Sequence, residues 1–583
     1  MVQSLQPSNA TSQQPAEHAP PHPSSPGRDS RLRAAGIAVV CFSFATVFAR
    51  SLRFVYVEGD DAASISYHLF GRHASIYREF APYQSGADLL LRGFPRDEAV
   101  LRIGAMLLSA LAATATVLLA LELVRQWLGE DHRLYRQLSP AAAAAITGAV
   151  LLAVPELFYL SLVYLPSVIG MAMMLGAHAL LRRTLSDPNN VHVRTVVITG
   201  ILTAAAAAVR WDLVLYVPIM LADLCISRGR AGDRRVLLRI AAIFASVFAV
   251  CFGMLSLVVV GISGIAGTTG VTRSRGDEAL DLTAAVGNSS ALLTPSLVAL
   301  GAWGLTRLPS GRRAFAVGHV AALVAVVGVL NWTVPKVWLP FLPGLLLSFT
   351  VGLVDLWRRA RRRFRFVLRS SLAVLLLLPW LVGVRVSDGT TAWGPGFELR
   401  SYDDEAERMA TLVIGGAGSA VPTPEGQRPL WGHAAVLLGG EWARLVTDLD
   451  RERELAVEYA LAEGIPLLQL GGSDALLAVA LGRRGYRPSS PIELNDSITI
   501  RRFDSRGGGA LLVKADFGTL VGDSRIARDI EAFAASEEVV IHGYPSALRD
   551  AYEVAPQALQ KLGPVTAVLD LGSFADALAA RGR

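Results

Sequence analysis

From about residue 34 to about residue 386, apolar runs of bilayer-crossing length recur, separated by short stretches that hold most of the charge of this region. The pattern predicts eleven spans, at about 34–57, 100–124, 140–158, 162–181, 195–211, 213–227, 236–262, 291–306, 314–333, 337–357 and 366–386. The fifth and sixth are joined only by Arg210-Trp211-Asp212, which reads either as a tight reversal or as a break within one long helix. After about residue 387 the pattern changes. Short apolar runs at Ala434–Leu438, Pro466–Leu470, Ile498–Arg501, Ala510–Val513, Val539–Ile541 and Val565–Leu569 read as strands, and residues 447–463, 474–483 and 523–536 read as helices. Alternation of this kind predicts an α/β layer fold. The expected fold is therefore a polytopic α-helical membrane protein with about eleven transmembrane helices and a C-terminal soluble α/β domain. Its parts would be a leader at 1–33, a membrane domain at 34–386 with a long loop at 58–99, and the α/β domain at 387–583.

Charge sets the orientation. With the N-terminus inside, Arg125, Arg133 and Arg136, then Arg182, Arg183 and Arg194, then Arg228, Arg230, Arg234 and Arg235, then Arg307, Arg312 and Arg313, and the run 358–365 all fall in cytoplasmic loops, as the positive-inside rule asks. An odd number of crossings then exports the 58–99 loop and the tail. The first 30 residues are rich in Pro, Ser, Gln and Ala and carry too little apolar surface to order themselves.

Composition agrees with this class. The 583 residues are 52% hydrophobic and 18% charged, below the roughly 25% charge of a soluble chain. The net charge of +6 lies in clusters between apolar runs rather than on a binding face, so nucleic acid is excluded as a partner. Of the 55 basic residues only Lys336, Lys514 and Lys561 are lysines, a bias typical of high-GC bacterial coding, which points to a bacterial inner membrane. Cys41, Cys225 and Cys251 all lie within apolar runs and offer neither a disulfide framework nor a CxxC metal site. Gly415-Gly416-Ala417-Gly418 lacks the GxGxxG spacing, and Gly439-Gly440 and Gly471-Gly472 read as turns.

Candidate chemistry concentrates just after the first span. Glu58, Asp60 and Asp61 fall within four residues, and in a helix starting there Asp61, Ser64, His68 and Arg72 share one face. Asp60 would also serve as an ordinary N-cap. A carboxylate held at the membrane surface suits removal of a proton from an attacking hydroxyl. A leaving phosphate would need facing cations. Arg50, Arg53, Arg210, Arg273, Arg275 and Lys336 stand on the outer side, where orientation does not account for them. Tyr83 and Asp88 lie in an aromatic, polar loop stretch, 79–88. His178 and His319 fall within spans without an i+3 or i+4 His or carboxylate, which reads as packing.

The acidic pair outside the first span, then Phe94-Pro95-Arg96-Asp97-Glu98-Ala99-Val100-Leu101-Arg102 leading into the next span, and later Pro335-Lys336-Val337-Trp338-Leu339-Pro340-Phe341-Leu342-Pro343, together resemble the polytopic C-fold (GT-C) glycosyltransferases. The kinds most similar are the protein mannosyltransferases and the lipid A aminoarabinose transferases. The resemblance implies an integral membrane glycosyltransferase that passes a sugar from a polyprenyl-phosphate donor to a glycan, lipid or protein acceptor on the external face. It implies Asp60 or Asp61 as catalytic base, Asp-Asp standing here where the family commonly has Asp-Glu. Arg53, Arg102, Arg210 and Lys336, with His68, Arg72, Tyr83 and Asp88, are the candidates for donor and substrate binding. Some relatives use a divalent metal, Mg or Mn, and others none; no second acidic motif is firmly placed to complete a metal site here, although Glu79, Asp88, Asp277 and Glu278 are available.

Two other classes compete with this reading. A transporter or flippase of lipid-linked glycans would need interrupted helices with polar residues near the midplane. A membrane-tethered scaffold would not need so many spans.

Overall fold

The computed structural model describes residues 93–128, 166–186, 192–228, 234–259, 295–330, 339–359, 441–470, 475–489, 492–495, 498–506, 508–515, 524–543, 545–563 and 566–581, with a few isolated positions and two short strands besides. Eight α-helices form a first unit: α1 (Glu98–Leu128), α2 (Pro166–Ser186), α3 (Val193–Val209), α4 (Val217–Arg228), α5 (Arg234–Val259), α6 (Pro295–Arg307), α7 (Ser310–Leu330) and α8 (Leu342–Arg359). A 3-10 turn, Trp211–Tyr216, joins α3 to α4.

The expectation of eleven spans is corrected here. Among the described residues three helices are long and apolar enough to cross a membrane: α1, Arg235–Val258 within α5, and Leu339–Leu356 at α8. Ser167–Arg182 and Val193–Val209 are shorter apolar helices. An apolar run and a spanning helix differ because local breaks shorten the helix below the roughly 20 residues that the hydrocarbon core requires. The expected spans 195–211 and 213–227 show this: they fold as a 17-residue helix, a 3-10 turn and a 12-residue helix. Within the expected span 291–306 the described part is the helix α6, Pro295–Arg307, and 291–294 lie outside the described residues. The expected spans 34–57 and 140–158 lie outside the described residues.

The contacts of α2 show how the chain turns at Arg210. Ser167, at the start of α2, bonds Arg210, whereas Arg182, near its end, bonds Asp223. The path from 210 to 223 therefore runs alongside α2 in the same direction, and α3 runs back between them. Arg210 itself is extended (φ −154°, ψ 119°), which stops α3 and lets the 3-10 turn begin. α1 also runs parallel to α2: Thr116 donates to the Val168 carbonyl at 3.4 Å, and Arg182 to the Gln126 carbonyl at 3.2 Å. In consequence the C-terminal ends of α1, α2 and α4 meet, and Glu98 lies at the far end of α1, about 45 Å away along a helix of this length.

The C-terminal region folds as α9 (Glu441–Glu463), α10 (Ala475–Arg483), α11 (Ser524–Ala534), α12 (Pro545–Val554) and α13 (Leu571–Arg581) around an eight-stranded mixed sheet. Numbered after a separate two-stranded pair (β1, Val384–Arg385, and β2, Thr391–Trp393), its strands are β3 (Leu467–Leu470), β4 (Arg487–Pro488), β5 (Ile492–Asn495), β6 (Ile498–Ser505), β7 (Gly508–Ala515), β8 (Glu538–Gly543), β9 (Leu559–Gly563) and β10 (Thr566–Asp570). The order is β4-β6-β7-β3-β8-β10-β9, with β5 paired to β6. β3 pairs in parallel with β7 and β8, and the outer pairings are antiparallel. Alternation along β3 sends Leu468 and Leu470 to one core and Leu467 to the other, and Val539, Ile541 and Val540 divide the same way. With both faces covered, the central strands read as unbroken apolar runs. The short strands β4, β5 and β9 and the helices α12 and α13 have weaker patterns and were not anticipated from the sequence.

Candidate functional site

The described residues hold three polar assemblies that an apolar helical unit does not need for packing. The first is at the start of α1. Asp97 caps the helix, its Oδ1 accepting from the Val100 N–H at 3.0 Å. Glu98 follows and accepts from Arg483 of α10, Oε1 from an Nη at 2.9 Å and Oε2 from Nε at 3.1 Å. This fork-to-fork pair also engages Glu454 of α9, which accepts from Arg483 at 2.8 Å and from Arg484. Val479 of α10 belongs to the apolar core of the helical unit, so the contact has a packed part as well as a charged one.

The second assembly surrounds Arg210, which is 2% exposed. Its Nε lies 2.7 and 2.8 Å from the two carboxylate oxygens of Asp212, and an Nη donates to Ser167 Oγ at 2.5 Å. A buried guanidinium of this kind is held in one orientation by its carboxylate. Arg210 is therefore placed at the chain reversal on the α2–α4 side that faces toward the Glu98 end of α1.

The third assembly, at the opposite end, was not foreseen. His178 is hydrogen-bonded at both ring nitrogens, Nδ1 to Tyr216 Oη and Nε2 to Asp223 Oδ2, each at 2.8 Å. Asp223 also accepts from Arg182 at 2.6 and 2.7 Å, with Arg312 of α7 at 3.7 Å. His178, Tyr216 and Asp223 are each at most 1% exposed. The partners stand 38 and 45 residues from His178, so no i+3 or i+4 signal exists for sequence reading to find. Beside it Asp355 of α8 gathers Arg307, Arg359 and the indole N–H of Trp303.

Of the predicted site residues, Arg210 and Arg102 are described, and the structure does not bring them into contact. Arg102 lies on α1, one turn beyond Glu98, and is half-buried. Asp60, Asp61, Arg53, His68, Arg72, Tyr83, Asp88 and Lys336 lie outside the described residues. Among the described residues no three His, Cys, Asp or Glu side chains converge as a metal site would require. His319, read as a packing residue, donates from Nδ1 to the Phe315 carbonyl at 3.0 Å and stacks edge-on against that ring. No family model matches the chain, and no curated protein compared with it is similar enough to count as a match.

Proposed function

We propose that this protein is a membrane-bound glycosyltransferase that passes a sugar from a polyprenyl-phosphate donor to a glycan, lipid or protein acceptor on the external face of a bacterial inner membrane, with Asp60 or Asp61 as general base. The observation that carries the reading is the Glu98–Arg483 pair. It ties the C-terminal α/β region to the first turn of α1, the helix that follows the 58–99 loop in sequence. A fold of this size at that position suits acceptor recognition. The orientation draws support from the clustering of Arg182, Arg307, Arg312 and Arg359 around Asp223 and Asp355 at the other end of the helices, as on a cytoplasmic side. Three helices fit to cross a bilayer are consistent with an integral membrane enzyme.

The test is transfer of labelled sugar from a polyprenyl-phosphate donor in membranes that contain the full chain. Asp60→Asn and Asp61→Asn should leave the protein folded and inserted, and at least one should lower transfer by about 100-fold or more, the usual scale for losing a general base. Full activity in both variants would overturn the assignment.

A second reading, a flippase of lipid-linked glycans, is favoured by one observation: α3 is interrupted at Arg210, and the break carries the buried Arg210–Asp212 pair. Interrupted helices with buried charge form substrate sites in transporters. Movement of the donor across protein-containing vesicles without any transfer product would favour it over the enzyme.

A further inference from the structure

The helical unit encloses a chain of three titratable groups, Tyr216, His178 and Asp223, that neither reading of the function uses. Asp223 is held as a carboxylate by Arg182 at 2.6 Å, so it accepts, and His178 Nε2 must carry the hydrogen that it donates. Nδ1 then bears the lone pair and accepts from the Tyr216 hydroxyl. The order hydroxyl, imidazole, carboxylate is the arrangement in which a carboxylate fixes the tautomer of a histidine and stabilises its cation. We propose that His178 is a proton-binding site, loaded at Nδ1 while Asp223 holds the imidazolium through Nε2–H.

The balance is simple. A proton supplied by water forms the Nδ1–H bond, no covalent bond breaks, and the Tyr216 hydroxyl turns so that its oxygen accepts from Nδ1–H. The groups facing His178 come from five elements, and α3, which also packs along α2, has Arg194 as its one charged residue, in its first turn. α2 itself supplies Arg182, the 3-10 turn Tyr216, α4 Asp223, and α7 Arg312 and His319, while α1 presents the Trp127 ring and the Gln126 carbonyl. Loading therefore adds a positive charge to a cluster in which one carboxylate already serves two guanidiniums. The added charge raises the repulsion that Arg182 and Arg312 already meet across that carboxylate. Two buried polar atoms without a hydrogen-bond partner lie in the same group of rings, Trp127 Nε1 and His319 Nε2, with Trp127 and His319 2% and 3% exposed.

Trp127 supplies the readout. Its ring centroid is 5.9 Å from that of His178 at an interplanar angle of 61°, close enough for an imidazolium to quench its emission. Tryptophan fluorescence of the full chain in lipid nanodiscs, titrated from pH 8 to pH 4.5, should contain a quenching component that is lost in His178→Gln and lost in Trp127→Phe. Asp223→Asn, which removes the acceptor of Nε2–H, should weaken that component. A titration unchanged in His178→Gln would overturn the proposal. If Asp223→Asn does not fold, His178→Gln and Trp127→Phe decide by themselves, because glutamine keeps both polar contacts and phenylalanine keeps the packing.

Discussion

His542 shows what a single buried residue contributes. It sits on β8, 6% exposed, with Nδ1 3.4 Å from Thr566 Oγ1 of β10. Burial pushes its pKa down to about 3 from 6.5, and the Arg453 guanidinium adds to the shift. The unfolded chain binds a proton near 6.5 and the folded one only near 3, so between these values the unfolded state holds the extra proton and acid favours it. The stability contributed by the neutral ring is complete above about 6.5 and falls by about 1.4 kcal/mol per pH unit as the pH drops toward 3. Protease protection of residues 441–581 in urea, measured at pH 7 and pH 5, should show a smaller acid loss in His542→Gln than in the parent chain. An equal loss in both would assign the acid sensitivity elsewhere. Neither His542 nor His178 was legible as a special residue, because what makes each special lies on another element: Thr566 on the antiparallel neighbour strand, and Tyr216 and Asp223 beyond a helix break. The cap at Asp97 was a different case. Its partner is three residues away, and local spacing alone suffices to suggest it.

At the scale of the element, α6 and α8 show how helices in this unit approach one another. Gly304 of α6 meets the backbone of Ser348 and Gly352, and Gly352 meets the Leu300 carbonyl and the Gly304 N–H, so an added Cβ at either position would overlap main-chain atoms. Small residues in this arrangement bring backbones together where lipid offers no hydrophobic force between helices. The joint is closed at its polar end by Asp355, which accepts from Trp303 Nε1 at 3.0 Å and from Arg359 at 2.8 Å, with Arg307 4.5 Å above the Trp303 ring. Gly352→Ala should therefore force the helices apart and cost about 1–3 kcal/mol, the usual cost of overpacking, whereas Gly318→Ala on α7, whose Cβ would meet open space, should be nearly neutral. Thermal unfolding in detergent compares the two, and equal midpoints would show that the close approach does not hold the pair. The sequence displays the small residues but not which helix they face. The same limit explains the count of spans. The division at Arg210-Trp211-Asp212 was evident between 195 and 227, but not the bond from Arg210 to Ser167, 43 residues back in the chain, that packs it against α2.

At the scale of the molecule, a sheet domain and a helical unit that are separate in sequence meet at the Glu98–Arg483 pair. The periodicity of the tail foretold its central strands because they are covered on both faces, and the apolar runs foretold α1, α5 and α8 because each of these carries an unbroken apolar stretch of at least 18 residues. Nothing local foretold that Glu98 and Arg483, 385 residues apart, would pair. Each is only partly exposed, 22% and 28%, and the pair is bidentate, so it exceeds an ordinary surface ion pair in geometry and is extended into a network by Glu454 and Arg484. If this network docks the tail, Glu98→Arg should place like charges together and release it, and so should Arg483→Glu, which faces Glu98 and Glu454 at once. The two changes combined restore one opposite-charge pair and should restore docking in part, because Glu454 then faces a carboxylate where it had a guanidinium. The reading is the rate of limited proteolysis in the chain between α8 and α9. Both single variants should be cut faster than the parent, by a margin that shrinks at high salt as screening weakens the contact, and the double variant should fall between. Single variants cut no faster than the parent would show that the packing of Val479 against the helical core holds the tail by itself, and the charged network would then lose its docking role.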